Sequence, residues 1–480
     1  MDRRAFLRIS GAVLAASLAG WPPPDDWQRL RERLSGPLFR PGDPGYPEAK
    51  QGFFTMYDDR VPVAVVGAAR VEDVQAAIGF AARHRLPVAA RSGGHSYPGY
   101  STVDGGIVVD LSRFSGIDVR PDGRAAIGAG ARLGPIAATL AAHGRVLPAG
   151  SCETVGIAGL TLGGGVGLVD RKHGLTCDHL EAARIVTADG RVRTVSRAAE
   201  PDLFWALRGG GGGNFGIVTG FTFRTVPSAD VATFKLTFPP GTQAALLAAW
   251  QEWLPGTPDE LWSGVNIDAG TAITNGTFLG REARLKELLD DLVRRVGTPP
   301  AEREARVTDH LAAMRSFDDH EGRPGAVAAR AAYVGTSRML LRPVTDPAAV
   351  VEVLTRAPRV GTLIDSAGGA IARVGARETA FPHRSALASF QFLHGATPED
   401  GGEAEARRAL GAVRDGLGPE FGATGYVNYL DPEMPDWARA YYGVNLARLR
   451  AVARKYDPDG LFAFPQGLSG PRPIVHKGGS

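Results

Sequence analysis

The stretch RSGGHSYPGY, Arg91 to Tyr100, sets one imidazole, His95, between a glycine pair and two tyrosines. Farther on, GSCETVG places a thiol, Cys152, in a second glycine-bounded segment. Imidazole and thiolate are side-chain nucleophiles that attack electron-poor carbon, and glycine lets the backbone carrying them approach a ligand closely. His95 has no HxH or HExxH partner nearby, so metal ligation is the weaker use and no metal site is expected. Near the other end, GYVNYLD supplies Tyr426, Asn428 and Tyr429, and FPHRSALASFQFLHG supplies Gln391. A free phenol titrates near ~10, so a tyrosine needs hydrogen bonds or a nearby cation to accept a proton near neutrality. A glutamine can only orient by hydrogen bonding. If GYVNYLD were a regular strand, positions 426 and 429 would face opposite ways. The chain has two cysteines, Cys152 and Cys177, and a disulfide between them is the competing use of Cys152.

The tract GSCETVGIAGLTLGGGVGLVDRKHGL, Gly150 to Leu175, is the strongest ligand signal. It is not a Rossmann fingerprint, because GGGVG lacks the GxGxxG spacing and no clear hydrophobic helix follows. It is not a Walker loop, because no GK[ST] closes it. What remains is a glycine track whose exposed N–H groups suit a pyrophosphate. Val155, Ile157, Leu160, Leu162 and Val166 punctuate it with apolar side chains, which a flexible surface loop would not need.

RSGGHSY, GSCETVG, LFWALRGGGGGNFGIVTGFTF and the tail GYVNYLD with WARAYYGVNLARLRAVARKYDP follow one another in this order. Together they resemble the vanillyl-alcohol-oxidase-type flavoproteins, and more narrowly the berberine-bridge-enzyme-like FAD-linked oxidases. The likeness runs from about Pro62 to Gln466. It implies an α+β fold: a two-part FAD-binding domain plus an antiparallel-sheet substrate domain covered by helices. It implies FAD bound bicovalently, His95 to the flavin 8α-methyl carbon and Cys152 to C6. Around the cofactor it sets Arg91, Ser92, Gly93, Gly94, Ser96, Val155, Gly156, Gly159, Gly163, Gly164, Gly216, Val218 and Asn428. The catalytic set it implies is Tyr97, Gln391, Tyr426 and Tyr429, with Tyr426 as the base. Val155 falls where the family controls oxygen access, and a valine there resembles the oxidases, with O₂ as electron acceptor and hydrogen peroxide as product. Val166 departs from the aromatic that many plant members carry, so substrate class is not transferable from them. The small-molecule substrate expected is a sugar or oligosaccharide oxidised at the anomeric carbon. The alternatives are a secondary metabolite, a dehydrogenase using another acceptor, and a secreted binding protein that keeps only the fold.

The elements that must position these residues are legible in outline. With 480 residues, 44% hydrophobic and 22% charged, the chain suits a soluble globular protein of two or three domains. Its 54 basic and 51 acidic residues nearly balance, and no basic run interleaves with aromatics, so nucleic-acid binding is excluded. Residues 1–20, with Arg3 and Arg4 ahead of GAVLAASLAG, resemble a twin-arginine export signal. Export through that machinery is therefore expected, and no stretch is long enough to anchor the chain in a membrane. Residues 21–57 read as a linker and lead-in, 58–227 as the main part of the FAD-binding domain, 228–420 as the substrate domain, and 421–470 as the segment completing the FAD domain. VPVAVVG, VEDVQAAIGFAARHR and LPVAARSGG form a strand–helix–strand unit. LEAARIVTADGRVRTVS reads as a hairpin turning at Asp189-Gly190, and FGIVTGFTFRTVP as another strand pair. From 228, alternating strands and amphipathic helices predict a long antiparallel sheet with helices on one side.

Overall fold

The computed structural model describes residues 22–317, 330–357 and 359–470; the expected export signal lies outside them. The first sheet holds β1 (Leu38–Phe39), β2 (Ala64–Gly67), β3 (Val88–Arg91) and β4 (Ile107–Asp110) in the order β1-β2-β4-β3. The strand–helix–strand unit is present, but β4 lies between its two strands and pairs parallel with both. Strands flanked this way are buried on both faces, which is why AVVG and IVVD read as continuous apolar runs. The connecting helix, Val71–His84, turns Val74, Ala77, Ile78 and Ala81 into the core. The Asp73 carboxylate fixes its start by accepting from Ser35, Gly36 and Ala69 N–H.

The second sheet is antiparallel. It contains β5 (Ile117–Val119), β6 (Arg124–Gly128), β8 (Leu180–Val186), β9 (Val192–Ser196) and β10 (Ile217–Arg224), ordered β5-β6-β10-β8-β9. A small ribbon, β7 (Arg145–Val146) with β11 (Val226–Pro227), lies beside it. The hairpin at Asp189-Gly190 forms as expected, with Gly190 at φ 73°. FGIVTGFTFRTVP carries two strands, as expected, but they do not pair with each other: β10 lies between β6 and β8, where Phe221 and Phe223 are buried, and β11 pairs with β7.

The third sheet has seven strands among the described residues: β12 (Val231–Thr237), β13 (Leu261–Ile267), β14 (Ala272–Phe278), β15 (Glu302–Thr308), β16 (Tyr333–Leu340), β17 (Val360–Ser366) and β18 (Ala388–Gly395). Their order is β15-β12-β14-β13-β17-β18-β16, antiparallel throughout. Helices Gln243–Trp253, Glu282–Val296, Pro347–Thr355 and Gly402–Gly416 cover one face, packing Trp250, Leu289, Leu354 and Leu410 onto Phe234, Val265, Ile364 and Phe390. Truncating one of these, such as fully buried Leu292, would cost about 2–5 kcal/mol. Because strand side chains alternate, the residues between these apolar ones point the other way. That second face turns toward the first two sheets. The C-terminal helix Leu446–Tyr456 returns to the N-terminal core, where Leu449 and Tyr456 share a cluster with Val74 and Ile185. No helix among the described residues is long and apolar enough to cross a membrane.

Candidate active site

A cavity of about 1420 Å³ lies between the glycine-rich segments and the uncovered face of the third sheet. Small-molecule pockets usually measure ~300–1,000 Å³, so this one has room for a cofactor and a substrate together. Its wall includes Ser92, Gly93, Gly94, His95, Ser96, Tyr97, Cys152, Val155, Gly156, Gly159, Gly216, Val218, Gln391, Tyr426, Asn428 and Tyr429. Arg91, Gly163 and Gly164 stand behind it. Arg91 is buried and bonds the Asp110 carboxylate at 2.8 Å and the Lys50 carbonyl at 2.9 Å, so it ties β3 to β4 and the lead-in. A Cβ on Gly163 would fall 2.0 Å from Asn428 Oδ1, and Gly164 at φ 129° turns the chain beneath Phe381 and Tyr426. These three shape the loop rather than face the cavity.

The expected tether residues meet because two backbones touch. A Cβ on Gly93 would come within 2.3 Å of Gly156 N, and one on Gly156 within 2.2 Å of Gly93 N. Only glycine permits that approach, and it brings the His95 loop against the Cys152 loop. Thr154 Oγ1 lies 3.0 Å from His95 Nε2 and 3.6 Å from Cys152 Sγ. The Phe53 ring stacks on the His95 ring with centroids 3.8 Å apart. Cys152 and Cys177 are not joined by a disulfide, so that competing use of Cys152 falls. Cys177 is fully buried, and burial pushes its thiol pKa far up, with the Asp178 charge adding to it. An imidazole and a thiol on one wall, with glycine backbone between them, fit the FAD that the sequence calls for.

The opposite wall is made of side chains. Gln391, on β18, donates from Nε2 to the Tyr97 hydroxyl. The Tyr97 ring stacks on Tyr429 at 5.8 Å and 14°. GYVNYLD is not a strand: Val427–Tyr429 is a 3₁₀ turn, in which residues three apart eclipse, so Tyr426 and Tyr429 sit on one side with rings 4.9 Å apart. The Tyr426 oxygen accepts from Gly165 N–H and Asn428 Nδ2, each at 2.8 Å. Its side chain is 1% exposed, and burial raises its pKa above the ordinary phenol value despite those two bonds. Tyr429 is also raised, first by burial and then by the charge of Asp365.

Asp365 escaped the sequence reading. It lies on the cavity wall, on the face of β17 opposite Ile364, paired in register with Gly264 and Ser389. Enclosure pushes its carboxyl up to about 7. Behind the wall, Asp170 rises to about 8, by burial first; Gly167 N–H, 3.0 Å from Oδ2, pulls it down and the Asp365 charge pushes it up. Tyr333 completes this end, its ring 5.8 Å from Tyr97. The available signal was VGTLIDS, where one acid interrupts an alternating strand. Alternation told that Asp365 shares a face with Leu363, but not which face the cavity would claim.

An FAD binding domain model matches residues 62–196, and a model described as Berberine and berberine like matches 425–469. The uncharacterized FAD-linked oxidoreductase YgaK of Bacillus subtilis is 35% identical over 450 residues, covering 91% of this chain and 98% of that one. The solved structure of Physcomitrella patens BBE-like 1 superposes with a TM-score of 0.86 at 30% identity, covering 92% of this chain and 98% of its own. Glucooligosaccharide oxidase from Acremonium strictum, described as carrying 6-S-cysteinyl, 8α-N1-histidyl FAD, superposes with a TM-score of 0.82 at 27% identity, covering 93% and 100%.

Proposed function

The chain belongs to the berberine-bridge-enzyme-like FAD-linked oxidoreductases, and from that premise we propose that it is an oxidase of sugars or oligosaccharides acting at the anomeric carbon. FAD held there would supply the acceptor for the hydride leaving the substrate C–H bond and the route for its electrons to O₂, with hydrogen peroxide as product. His95 and Cys152 hold it covalently, as the tethers named for the Acremonium enzyme do there.

The substrate hydroxyl must lose its proton as the hydride leaves carbon. We assign that proton to Asp365, beside Tyr429, in place of the Tyr426 expected from the motif. A carboxyl at about 7 on the cavity wall is half ionised near neutrality, which suits a general base. The raised and buried Tyr426 braces Gly165 instead. Gln391 and Tyr97, bonded to each other, orient the reacting hydroxyl. Lys235, Asn275 and Asn266 line the cavity on the same sheet and offer hydrogen bonds to further hydroxyls. The observation that carries this reading is the facing of His95 and Cys152 on one wall by Asp365, Tyr429 and Gln391 on the other.

The resemblance of residues 1–20 to a twin-arginine signal supports export of the folded, cofactor-loaded protein. N-terminal sequencing of protein recovered outside the cytoplasm tests this, since an intact Met1 there would sink it. For the reaction, anaerobic stopped-flow mixing with mono- and oligosaccharides should bleach the oxidised flavin absorbance, with turnover lost when the anomeric hydroxyl is blocked. Bleaching by aromatic alcohols and by no sugar would replace this reading with oxidation of a secondary metabolite.

A further inference from the structure

Thr154 neighbours both His95 and Cys152 and does not itself line the cavity. Taking those two residues as the flavin tethers, we propose that Thr154 is a positioning residue that readies both for covalent attachment. In this arrangement His95 Nε2–H donates to Thr154 Oγ1, and the Thr154 hydroxyl donates to Cys152 Sγ.

A threonine hydroxyl has one proton and two lone pairs. When it accepts from the imidazole, its only proton is left for the sulfur. The ring proton then sits on Nε2, so Nδ1 keeps its lone pair. At the same time the hydrogen bond to sulfur favours the thiolate, the nucleophilic form. Reversed, the hydroxyl donates to Nε2, the ring proton moves to Nδ1, and the sulfur can bond Oγ1 only as an S–H donor, without the hydrogen bond that favours the thiolate. Both tether atoms are then blunted. A single hydroxyl therefore switches the two together.

The surroundings hold this geometry. Thr154 is 8% exposed, in a turn closed by Val155 N–H to the Cys152 carbonyl at 3.3 Å. A Cβ on Gly93 would lie 3.0 Å from the Thr154 carbonyl, so the His95 loop rests against this same turn. Threonine's branched Cβ restricts χ1 and keeps the hydroxyl aimed. Phe53 fixes the imidazole plane. It stacks on the ring, and its backbone bonds Gly94 on one side and Ala331 of the substrate domain on the other, both at 3.3 Å.

Each attachment exchanges a flavin C–H and an N–H or S–H for a C–N or C–S bond. Two protons and two electrons are released each time. The electrons go to the isoalloxazine and then to O₂, which becomes hydrogen peroxide. The imidazole proton departs from Nε2 toward Thr154 as Nδ1 forms its bond, and the protons pass to solvent.

The test is peptide mapping of denatured full-length protein for flavin bonded at His95, at Cys152, or at both. Thr154→Val keeps the shape and removes the hydroxyl, whereas Thr154→Ser keeps the hydroxyl and removes the methyl. We expect the doubly bonded fraction to fall at least ~10-fold in Thr154→Val and to stay near wild type in Thr154→Ser. Full double bonding in Thr154→Val overturns the proposal, as does the opposite pattern, which marks a packing role. Should Thr154→Val not be recovered folded, Thr154→Ala against Thr154→Ser reads the same contrast. Wild-type protein with no covalent flavin would instead overturn the tether reading beneath it, so the two failures are distinct.

Discussion

On the flavin side of the cavity, Gly93 and Gly156 meet so closely that neither tolerates a Cβ, and function rests on backbone approach. On the other side, one face of β13, β17 and β18 supplies the wall, through Trp262, Gly264 and Asn266, Leu363 and Asp365, and Gln391, and function rests on which side chains the register selects. The first wall needs its sequence to be local and nearly invariant in size. The second can exchange side chains without disturbing the core, because helices on the far face hold the sheet. On the proposed reading, cofactor chemistry is thereby separated from substrate choice. A fold divided in this way can change what it oxidises while keeping how it oxidises.

The largest expected effect breaks the flavin wall alone. His95→Ala or Cys152→Ala should each leave flavin attached through the remaining residue after acid precipitation, while the double variant should release all of its FAD into the supernatant. Complete release from denatured wild-type protein would remove covalent chemistry from this wall and leave only a glycine cradle.

The next effect belongs to the sheet wall. Asp365→Asn should lower the rate of anaerobic flavin reduction by about 10²–10⁴, the usual contribution of a positioned base. The sign of the pH dependence follows from the raised carboxyl. Asp365 is protonated and idle below about 7, so the wild-type rate should climb as pH rises through that value and level off above it. Asp365→Asn should be slow and lack that climb. Tyr426→Phe loses the bonds to Gly165 and Asn428 and should keep both the climb and most of the rate. If Tyr426→Phe is the variant that collapses while Asp365→Asn reduces normally, the base is the phenol on the C-terminal turn.

The same contrast explains what the sequence could and could not reveal. His95 and Cys152 were readable because short motifs carry them and glycine announces close approach. The glycines behind the wall, Gly163 and Gly164, carried the same signal but spend it on Asn428 and on the turn under Phe381. Asp365 was invisible because a period of two names two faces and assigns neither to the cavity. Tyr426 and Tyr429 were set apart by strand reasoning and brought together by a 3₁₀ turn that no hydrophobic pattern marks. The hairpin at Gly190 and the helix-covered sheet came through because turn chemistry and burial are local. The insertion of β4 between β2 and β3 did not, since pairing order is a long-range choice.

The smallest effect concerns Val155, which lies on the flavin wall between Cys152 and Gly156. Its backbone is fixed, with its N–H on the Cys152 carbonyl at 3.3 Å and its own carbonyl accepting from Leu133 N–H at 3.0 Å. The side chain is partly buried and packs beside the first core, so one added methylene has little room to move aside. If O₂ reaches the flavin past this side chain, Val155→Leu should slow reoxidation of substrate-reduced enzyme in air-saturated buffer severalfold. Anaerobic reduction by substrate should barely change, because the proposed substrate contacts lie on the sheet wall. A packing defect would spread to both half-reactions, so the split between them is the measurement that matters. Equal slowing of both would mean that Val155 supports the loop rather than the oxygen path. Wild-type reoxidation far slower than turnover with an artificial acceptor would remove O₂ from the reaction and make the enzyme a dehydrogenase.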